Sequence, residues 1–342
     1  MRYKVLGKSG VRVSELALGA MTFGTESGIG ADKDESRKVY NAFRDAGGNF
    51  IDTANVYNRG TSETFLGEFM AGDRERIVLA TKFTGGMREK DINAASNSRK
   101  NMMESVNASL KRLKTDYIDL YWVHAWDSVT PTEELLRGLD DLVSQGKVLY
   151  IGVSDTPAWV VAKSNTMAEL RNWSEFIALQ IQYSLVERTV ERELLPMARA
   201  YDMAVTPWGI VGSGVLSGKY NKNAAAEGRG ASRSQIINDR SLKIAEEVMR
   251  IAEEINATPT QVAIAWVLNG PANIIPLVGA RTLEQWEENL GCLDVELDES
   301  MMSRLNEISA INPGFPHSML MGGMGNAKNV DNHRKFTSGG YL

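Results

Sequence analysis

Asn49-Phe50-Ile51-Asp52-Thr53-Ala54-Asn55-Val56-Tyr57 opens the stretch on which the fold turns. An apolar, strand-like run ends on a carboxylate, and a tyrosine follows five residues later. Next comes an amphipathic segment, Ser62–Met70, and then a second apolar run, Ile77-Val78-Leu79-Ala80-Thr81, which ends on Lys82. A third run, Ile118-Asp119-Leu120-Tyr121-Trp122-Val123, ends on His124. Charged and polar groups at the inner ends of strands are costly unless they pair with one another. If the three strands are neighbours in one parallel sheet, Asp52, Tyr57, Lys82 and His124 converge. A carboxylate, a phenol, an ammonium and an imidazole at one point suit proton donation to a carbonyl oxygen.

The same alternation runs outward in both directions. Further strand-like runs are Glu15–Phe23, Val148–Ser154, Phe176–Tyr183, Ala204–Trp208 and Asn273–Val278. Helical spacing marks Asp34–Ala46, Ser98–Leu113, Glu133–Gln145, Ala158–Leu170, Glu191–Tyr201 and Thr282–Leu290. Thr130-Pro131-Thr132-Glu133 and Thr258-Pro259-Thr260-Gln261 each read as a capping box with proline at the first helical position. Eight strand–helix units in about 280 residues predict a (β/α)8 fold, the TIM barrel. A doubly wound sheet is the competitor, but it carries a glycine fingerprint after its first strand, where this chain has Leu18-Gly19-Ala20-Met21. Tyr3–Val13 is expected as an N-terminal β-hairpin, Gly212–Asp239 as a long mobile loop after the seventh strand, and residues 312–342 as a C-terminal tail. No domain boundary shows, so a single domain with a core of about residues 3–311 is expected.

Composition narrows the function. Of 342 residues, 43% are hydrophobic and 24% charged, as in globular proteins. A net charge of −5 argues against nucleic acid as a partner. Cys292 is the single cysteine, so no internal disulfide forms, and the three histidines have no metal-ligand spacing. Met1–Gly7 has no secretory apolar region and no run approaches the ~20 residues that span a bilayer, so a cytoplasmic protein without membrane contact is expected.

These residues, in this order, resemble the aldo-keto reductase superfamily. The motifs are most similar to its aryl-alcohol-dehydrogenase-like members and to the potassium-channel β subunits related to them. The likeness rests on Asp52-Thr53-Ala54-Asn55-Val56-Tyr57, on Ser62-Glu63-Thr64-Phe65-Leu66-Gly67, and on the order of aspartate, tyrosine, lysine and histidine along successive strands. It runs from about Tyr3 to Glu307. The resemblance implies a (β/α)8 barrel, a nicotinamide cofactor, usually NADPH, and reversible reduction of aldehydes and ketones.

By its chemistry Tyr57 is the expected general acid. A free phenol has a pKa of about 10, and Lys82 beside it is expected to bring that value down. Asp52 is expected to hold Lys82, and His124 to donate or relay a proton toward the substrate oxygen. Negative charge growing on that oxygen would meet these donors. Taken singly, a tyrosine or histidine at a strand end reads as an ordinary buried side chain. Lys82 is harder to dismiss, since fully buried lysines are rare unless paired.

The resemblance also implies where the cofactor lies. Gly19 and Met21 follow the first strand. Ser154, Asp155 and Gln180 are assigned to the nicotinamide carboxamide. The family usually has asparagine where this chain has Asp155, which accepts a hydrogen bond but donates none unless protonated. Trp208 is assigned to stack on the nicotinamide, Gly212, Gly214 and neighbouring amides to lie against the pyrophosphate, and Lys219 to add charge, with Gly209, Val211 and Ser217 also in the cofactor site. After the eighth strand, Gly279 and Arg281 are assigned to the cofactor site, and Gln285, Glu288 and Asn289 match adenosine-contacting positions. Arg281 at a helix N-terminus suits a 2′-phosphate, which favours NADPH and NADP+, with NADH bound more weakly. A blander account makes Arg281 a solvated side chain beside a capping box formed by Thr282 and Gln285.

The substrate is expected to be a small carbonyl or alcohol. Candidates for its pocket are Met21, Phe23, Tyr57, Phe83, Trp126, Met319 and Met321, an apolar and adaptable set. Two other functions fit parts of the pattern. A cofactor-binding regulatory subunit with slow turnover would keep the same four residues, but the barrel pattern begins without an N-terminal extension to block a channel pore, which favours the enzyme. A non-redox barrel would not bind nicotinamide at all. The pattern is silent on oligomeric state.

Overall fold

The computed structural model describes residues 1–222 and 235–320 of the 342. The hairpin is present: β1 (Tyr3–Val5) and β2 (Arg12–Ser14) pair antiparallel, Tyr3 opposite Ser14. Eight further strands form one sheet: β3 (Ala17–Gly19), β4 (Phe50–Asp52), β5 (Val78–Phe83), β6 (Ile118–Val123), β7 (Val148–Ser154), β8 (Phe176–Gln182), β9 (Ala204–Trp208) and β10 (Leu277–Val278). Their order is β10-β3-β4-β5-β6-β7-β8-β9, with helices between successive strands. This is the (β/α)8 architecture that the sequence predicts.

Two compact units make up the chain, one of Met1–Gln180 with Leu277–Glu287, the other of Ile181–Pro276 with Glu288–Leu342. In the first, strands from β10 through β3 to β8 pair parallel in sequence. Leu79 to Phe83 of β5 and Leu120 to Trp122 of β6 are wholly buried, as strands covered on both faces must be. Helix Lys33–Asp45 is capped by Asp32 and buries Val39, Tyr40 and Phe43. Helix Arg99–Leu113 is capped by Ser98 and buries Met102, Val106 and Leu113 on one stripe. Each such apolar side chain contributes roughly 1.5–3 kcal/mol when fully buried.

The second unit holds β9, helix Asp239–Glu254 with an Asn238–Ser241 capping box, and helix Pro259–Leu268 with the predicted Thr258–Gln261 box. Its interior contains a charge. Arg188 donates from Nε and Nη2 to Glu191 at 2.8 and 3.0 Å, and from Nη1 to Ser309 Oγ at 2.7 Å. Tyr183 donates to the same carboxylate at 2.8 Å, and burial pushes its phenol well up.

Three local expectations change. Only Ala17–Gly19 of the run Glu15–Phe23 is strand, and Ala20–Thr22 tightens into a 3-10 turn. Thr130 caps nothing: its hydroxyl donates to Asp127 Oδ2 at 2.6 Å, and helix Thr132–Ser144 begins at Pro131 without a side-chain cap. Within the stretch read as a long loop, Gly212–Ser217 is a 3-10 turn and Lys219–Lys222 a short helix, while residues 223–234 lie outside the described residues. Helix Glu299–Ile308, capped by Asp298, precedes the tail. No helix among the described residues is long and apolar enough to cross a membrane.

Candidate active site

Register alone brings the chemistry to one end of the sheet. Asp52, the last residue of β4, lies opposite Gly19 on β3 and Ala80 on β5. Lys82 is two residues beyond Ala80 and so shares its face. His124 follows Val123, which pairs with Phe83. Beyond β4 the chain keeps bonding along β5, Thr53 N–H to Ala80 O at 2.9 Å and Asn55 N–H to Lys82 O at 3.2 Å. That carries Tyr57 back over the lysine.

Lys82 is 0% exposed and Asp52 2%. All three N–H bonds of the ammonium have an acceptor: Asp52 Oδ2, Thr53 O at 2.7 Å and the Tyr57 hydroxyl at 3.1 Å. The other Asp52 oxygen accepts from Gln180 Nε2 at 3.1 Å. Tyr57 and His124 meet edge to face, and the lysine nitrogen sits 4.7 Å from the Tyr57 ring centre. Thus a buried charge pair has every strong partner it needs, the condition for its survival away from water.

The electrostatics depart from expectation at Tyr57. Burial raises the phenol above its ordinary 10, and the opposing pull of Lys82 does not overcome it. Lys82 lowers that value as anticipated, but the sum goes the other way. Burial disfavours the lysine's own charge, yet Asp52 and Tyr57 more than offset it and hold Lys82 above its usual value. For His124, burial and then the Lys82 charge bring the imidazole down to about 3, so it is neutral at physiological pH.

Residues with no role in the site assigned from the sequence hold this set. Asn58 and Arg59 both have left-handed backbone, with φ of 45° and 54°. Asn58 suits that conformation, and its amide donates to Phe23 O at 2.9 Å and Met21 O at 3.1 Å. Glu63 is fully buried, accepting from Thr81 Oγ1 and Arg112 Nε, both at 2.6 Å. A Cβ on Gly67 would come within 2.5 Å of Arg112 O, so two helices touch there only because it is glycine. Asn97 accepts from Thr84 Oγ1 at 2.6 Å and donates to Ala125 O at 2.9 Å, and Thr84 Oγ1 accepts from His124 N–H at 3.3 Å, tying the chain at His124 to the end of β5. Glu63 and Gly67 were visible as members of the Ser62–Gly67 motif, while Asn58, Arg59, Asn97 and Arg112 left no signal beyond being polar.

The remaining first-unit candidates fall into three groups. Ser154 and Gln180 are opposite each other on β7 and β8 and buried, and Asp155 has φ of 40° with its N–H on Gln180 O at 3.2 Å. Gly19 and Gly279 adjoin, since a Cβ on Gly279 would stand 3.2 Å from Gly19 O, while Met21 is exposed. Arg281 is exposed, and its N–H donates to Gln285 Oε1 at 3.0 Å. Gln285 N–H donates to Thr282 Oγ1 at 3.2 Å, but its side chain bonds the Arg281 N–H, so the capping is displaced by one residue. Leu283 N–H, one of the amides that would favour an anion, donates to Glu35 Oε1 at 2.7 Å.

In the second unit, Trp208 ends β9 and accepts from Tyr183 N–H at 3.2 Å. Gly209, Gly212 and Gly214 have φ of 69°, 56° and 91°, and the turn is tied by Gly214 N–H to Val211 O at 2.9 Å and Ser217 Oγ to Gly214 O at 2.8 Å. Lys219 folds back, since a Cβ on Gly214 would meet its Nζ at 3.3 Å. Glu288 is exposed with its carbonyl on Gln261 Nε2 at 2.8 Å, and Asn289 is half-buried.

The substrate candidates divide. Phe23 and Phe83 are wholly buried, packed on Phe69 and stacked on Tyr121, so they are core residues and not exposed at a pocket mouth. Trp126 is 36% exposed and meets Trp159, 62% exposed, edge to face at 5.9 Å. Met319 is exposed in a short helix, and Met321 lies outside the described residues.

Residues 15–310 match the aldo/keto reductase family. The chain is 39% identical to an aryl-alcohol dehydrogenase [NADP(+)] of Phanerodontia chrysosporium, covering 94% of this chain and 88% of that one. It is 37% identical to a putative aryl-alcohol dehydrogenase of Saccharomyces cerevisiae, over 93% and 89% of the two chains. It is also 37% identical to a norsolorinic acid reductase of Aspergillus flavus, over 93% and 84%. The chain belongs to the aldo/keto reductase family. It is accordingly an oxidoreductase built on the (β/α)8 fold.

Proposed function

We propose that this protein reversibly reduces aromatic aldehydes or ketones to alcohols with NADPH, with Tyr57 as the proton donor. The observation that carries the reading is the Tyr57 hydroxyl 3.1 Å from a lysine whose other two N–H bonds are taken by Asp52 and Thr53. Lys82 is thereby held charged and aimed at the phenol oxygen. As the phenol gives up its proton, the growing phenolate meets that ammonium without any rearrangement. His124 is neutral, so it holds the carbonyl oxygen by a hydrogen bond without competing as a stronger acid. The raised phenol keeps Tyr57 protonated, as a donor must be, through the neutral range.

The nicotinamide, when bound, supplies the hydride. Several groups of the chain support this reading of the cofactor. In the first unit these are Ser154 and the exposed Arg281 guanidinium, which suits a 2′-phosphate. In the second they are the left-handed turn from Gly209 to Gly214, with Lys219 folded against it. The NADP(H) preference is supported by the printed name of one relative, and aromatic substrates by the names of two. The exposed Trp126, two residues past His124, offers an aromatic surface for such rings. The test is steady-state turnover with NADPH over paired aromatic and aliphatic aldehydes. Faster turnover of the aromatic members is expected. No turnover of any carbonyl, with NADPH bound, would replace this reading with that of a regulatory subunit.

A further inference from the structure

We propose that Gln180 is a positioning residue that holds the Asp52 carboxylate, and through it Lys82 and Tyr57, in addition to the reaction proposed above, on which this inference rests. The resemblance assigned Gln180 to the cofactor's carboxamide. Its side chain has a second partner within the protein: Nε2 donates to Asp52 Oδ1 at 3.1 Å.

The contact spans the sheet. Gln180 is on β8 and Asp52 on β4, with β5, β6 and β7 between them in the strand order. The two residues are 128 apart in sequence and both are buried. A side chain that crosses this way acts as a strut, because neither end can shift without moving a strand. Asp52 then has one oxygen on Lys82 and the other on Gln180. Two bonds fix the carboxylate's rotation as well as its position. With Gln180 Nε2 removed, the carboxylate turns more freely about its last bond, and the lysine nitrogen loses its fixed place beside the Tyr57 hydroxyl. Serving the phenol's environment is therefore a role separate from gripping the cofactor.

The experiment compares Gln180→Met and Gln180→Glu with the wild type in NADPH binding, followed by tryptophan fluorescence, and in the pH profile of kcat. Gln180→Met removes the donor and keeps the length. Its kcat should fall about tenfold or more while the Kd for NADPH stays within about threefold. Gln180→Glu puts a second carboxylate against Asp52. Two such groups cannot both ionise freely, so the kcat profile should gain an ionisation that the wild type lacks. Should the Met variant fail to fold, the near-isosteric Glu variant carries the test alone. A Kd raised about tenfold with kcat and its pH profile unchanged would return Gln180 to the cofactor and overturn the proposal. Variants indistinguishable from wild type would overturn it too, leaving the proposed reaction intact. An inactive wild-type protein that binds no NADPH would instead sink the reaction itself.

Discussion

The rings of Tyr57 and His124 meet edge to face, with centroids 5.9 Å apart and planes at 84°. One residue comes from a strained turn after β4 and the other from the end of β6, yet each limits the other's rotation. A phenol and a neutral imidazole are thus presented side by side, in fixed orientation, above a charged lysine. The geometry of the proposed catalytic residues is a property of packing, in place before any substrate arrives.

Tyr57→Phe keeps the ring contact with His124 and deletes the hydroxyl. Turnover should fall by ~10²–10⁴-fold, the usual share of general acid catalysis. NADPH affinity should be retained. A variant keeping most of its kcat would move the proton donor to His124.

Asp52→Asn leaves the Lys82 ammonium buried without its counter-charge, which costs about 3–5 kcal/mol for pairs of this kind. The double variant Asp52→Asn/Lys82→Met removes both charges. It should therefore unfold at a higher temperature than Asp52→Asn alone, although it is no more active. Activity losses should also fail to multiply, because the residues work as one unit. A double variant less stable than both single ones would show that the pair is not coupled as the distances indicate.

His124 makes stability depend on pH. Its folded pKa of about 3 lies below the ordinary 6.5. Between these values the unfolded chain takes up a proton that the folded one refuses. The contribution is full above pH ~6.5 and is lost as pH falls toward 3. From pH 7 to pH 5 the loss should approach about 2 kcal/mol. Urea unfolding at the two pH values, for wild type and His124→Gln, isolates it: the variant should lose less. Equal losses in both would place the acid sensitivity in other groups.

Arg281→Ala should raise the KM for NADPH roughly ten- to a hundredfold and leave NADH nearly unchanged, if the guanidinium meets the 2′-phosphate. Glu35 tests the same turn with opposite sign. Its carboxylate holds Leu283 N–H, so Glu35→Gln removes a negative charge from the helix start. NADPH should then bind about two- to fivefold tighter, in line with charge effects at helix ends. Equal changes for both cofactors would assign the turn to a phosphate they share.

What the sequence made legible follows from the range over which each signal acts. Apolar runs such as Leu120–Val123 mark buried parallel strands, because no solvent face interrupts them. A lysine at the end of such a run demands a partner, so Lys82 and Asp52 were visible together. Thr258–Gln261 was legible because a capping box is complete within four residues. Thr130 shows the limit: the same pattern was undone by Asp127, which competes for the hydroxyl. Helix Asp239–Glu254 carries its own signal in Ile244, Val248 and Ile251, spaced four and three apart, though the glycine-rich stretch before it masks where it begins. The Gln180–Asp52 bond leaves no local trace at all, and neither does the burial that outweighs Lys82 at the Tyr57 phenol.

The pairing of β3 with β10 has a consequence for how the chain is made. Ala17 lies beside Leu277, and Leu18 beside Val278. During synthesis the first barrel strand leaves the ribosome with one flank unpaired and keeps it so until nearly the whole chain has emerged. At about 5–20 residues per second, that interval lasts tens of seconds or less, long compared with the formation of a single helix. Ala17–Gly19 is only three residues long, and the hairpin of β1 and β2 precedes it directly. A short edge offers little template to a neighbouring chain, so brevity at this position guards the nascent protein against aggregation while it waits for its last neighbour.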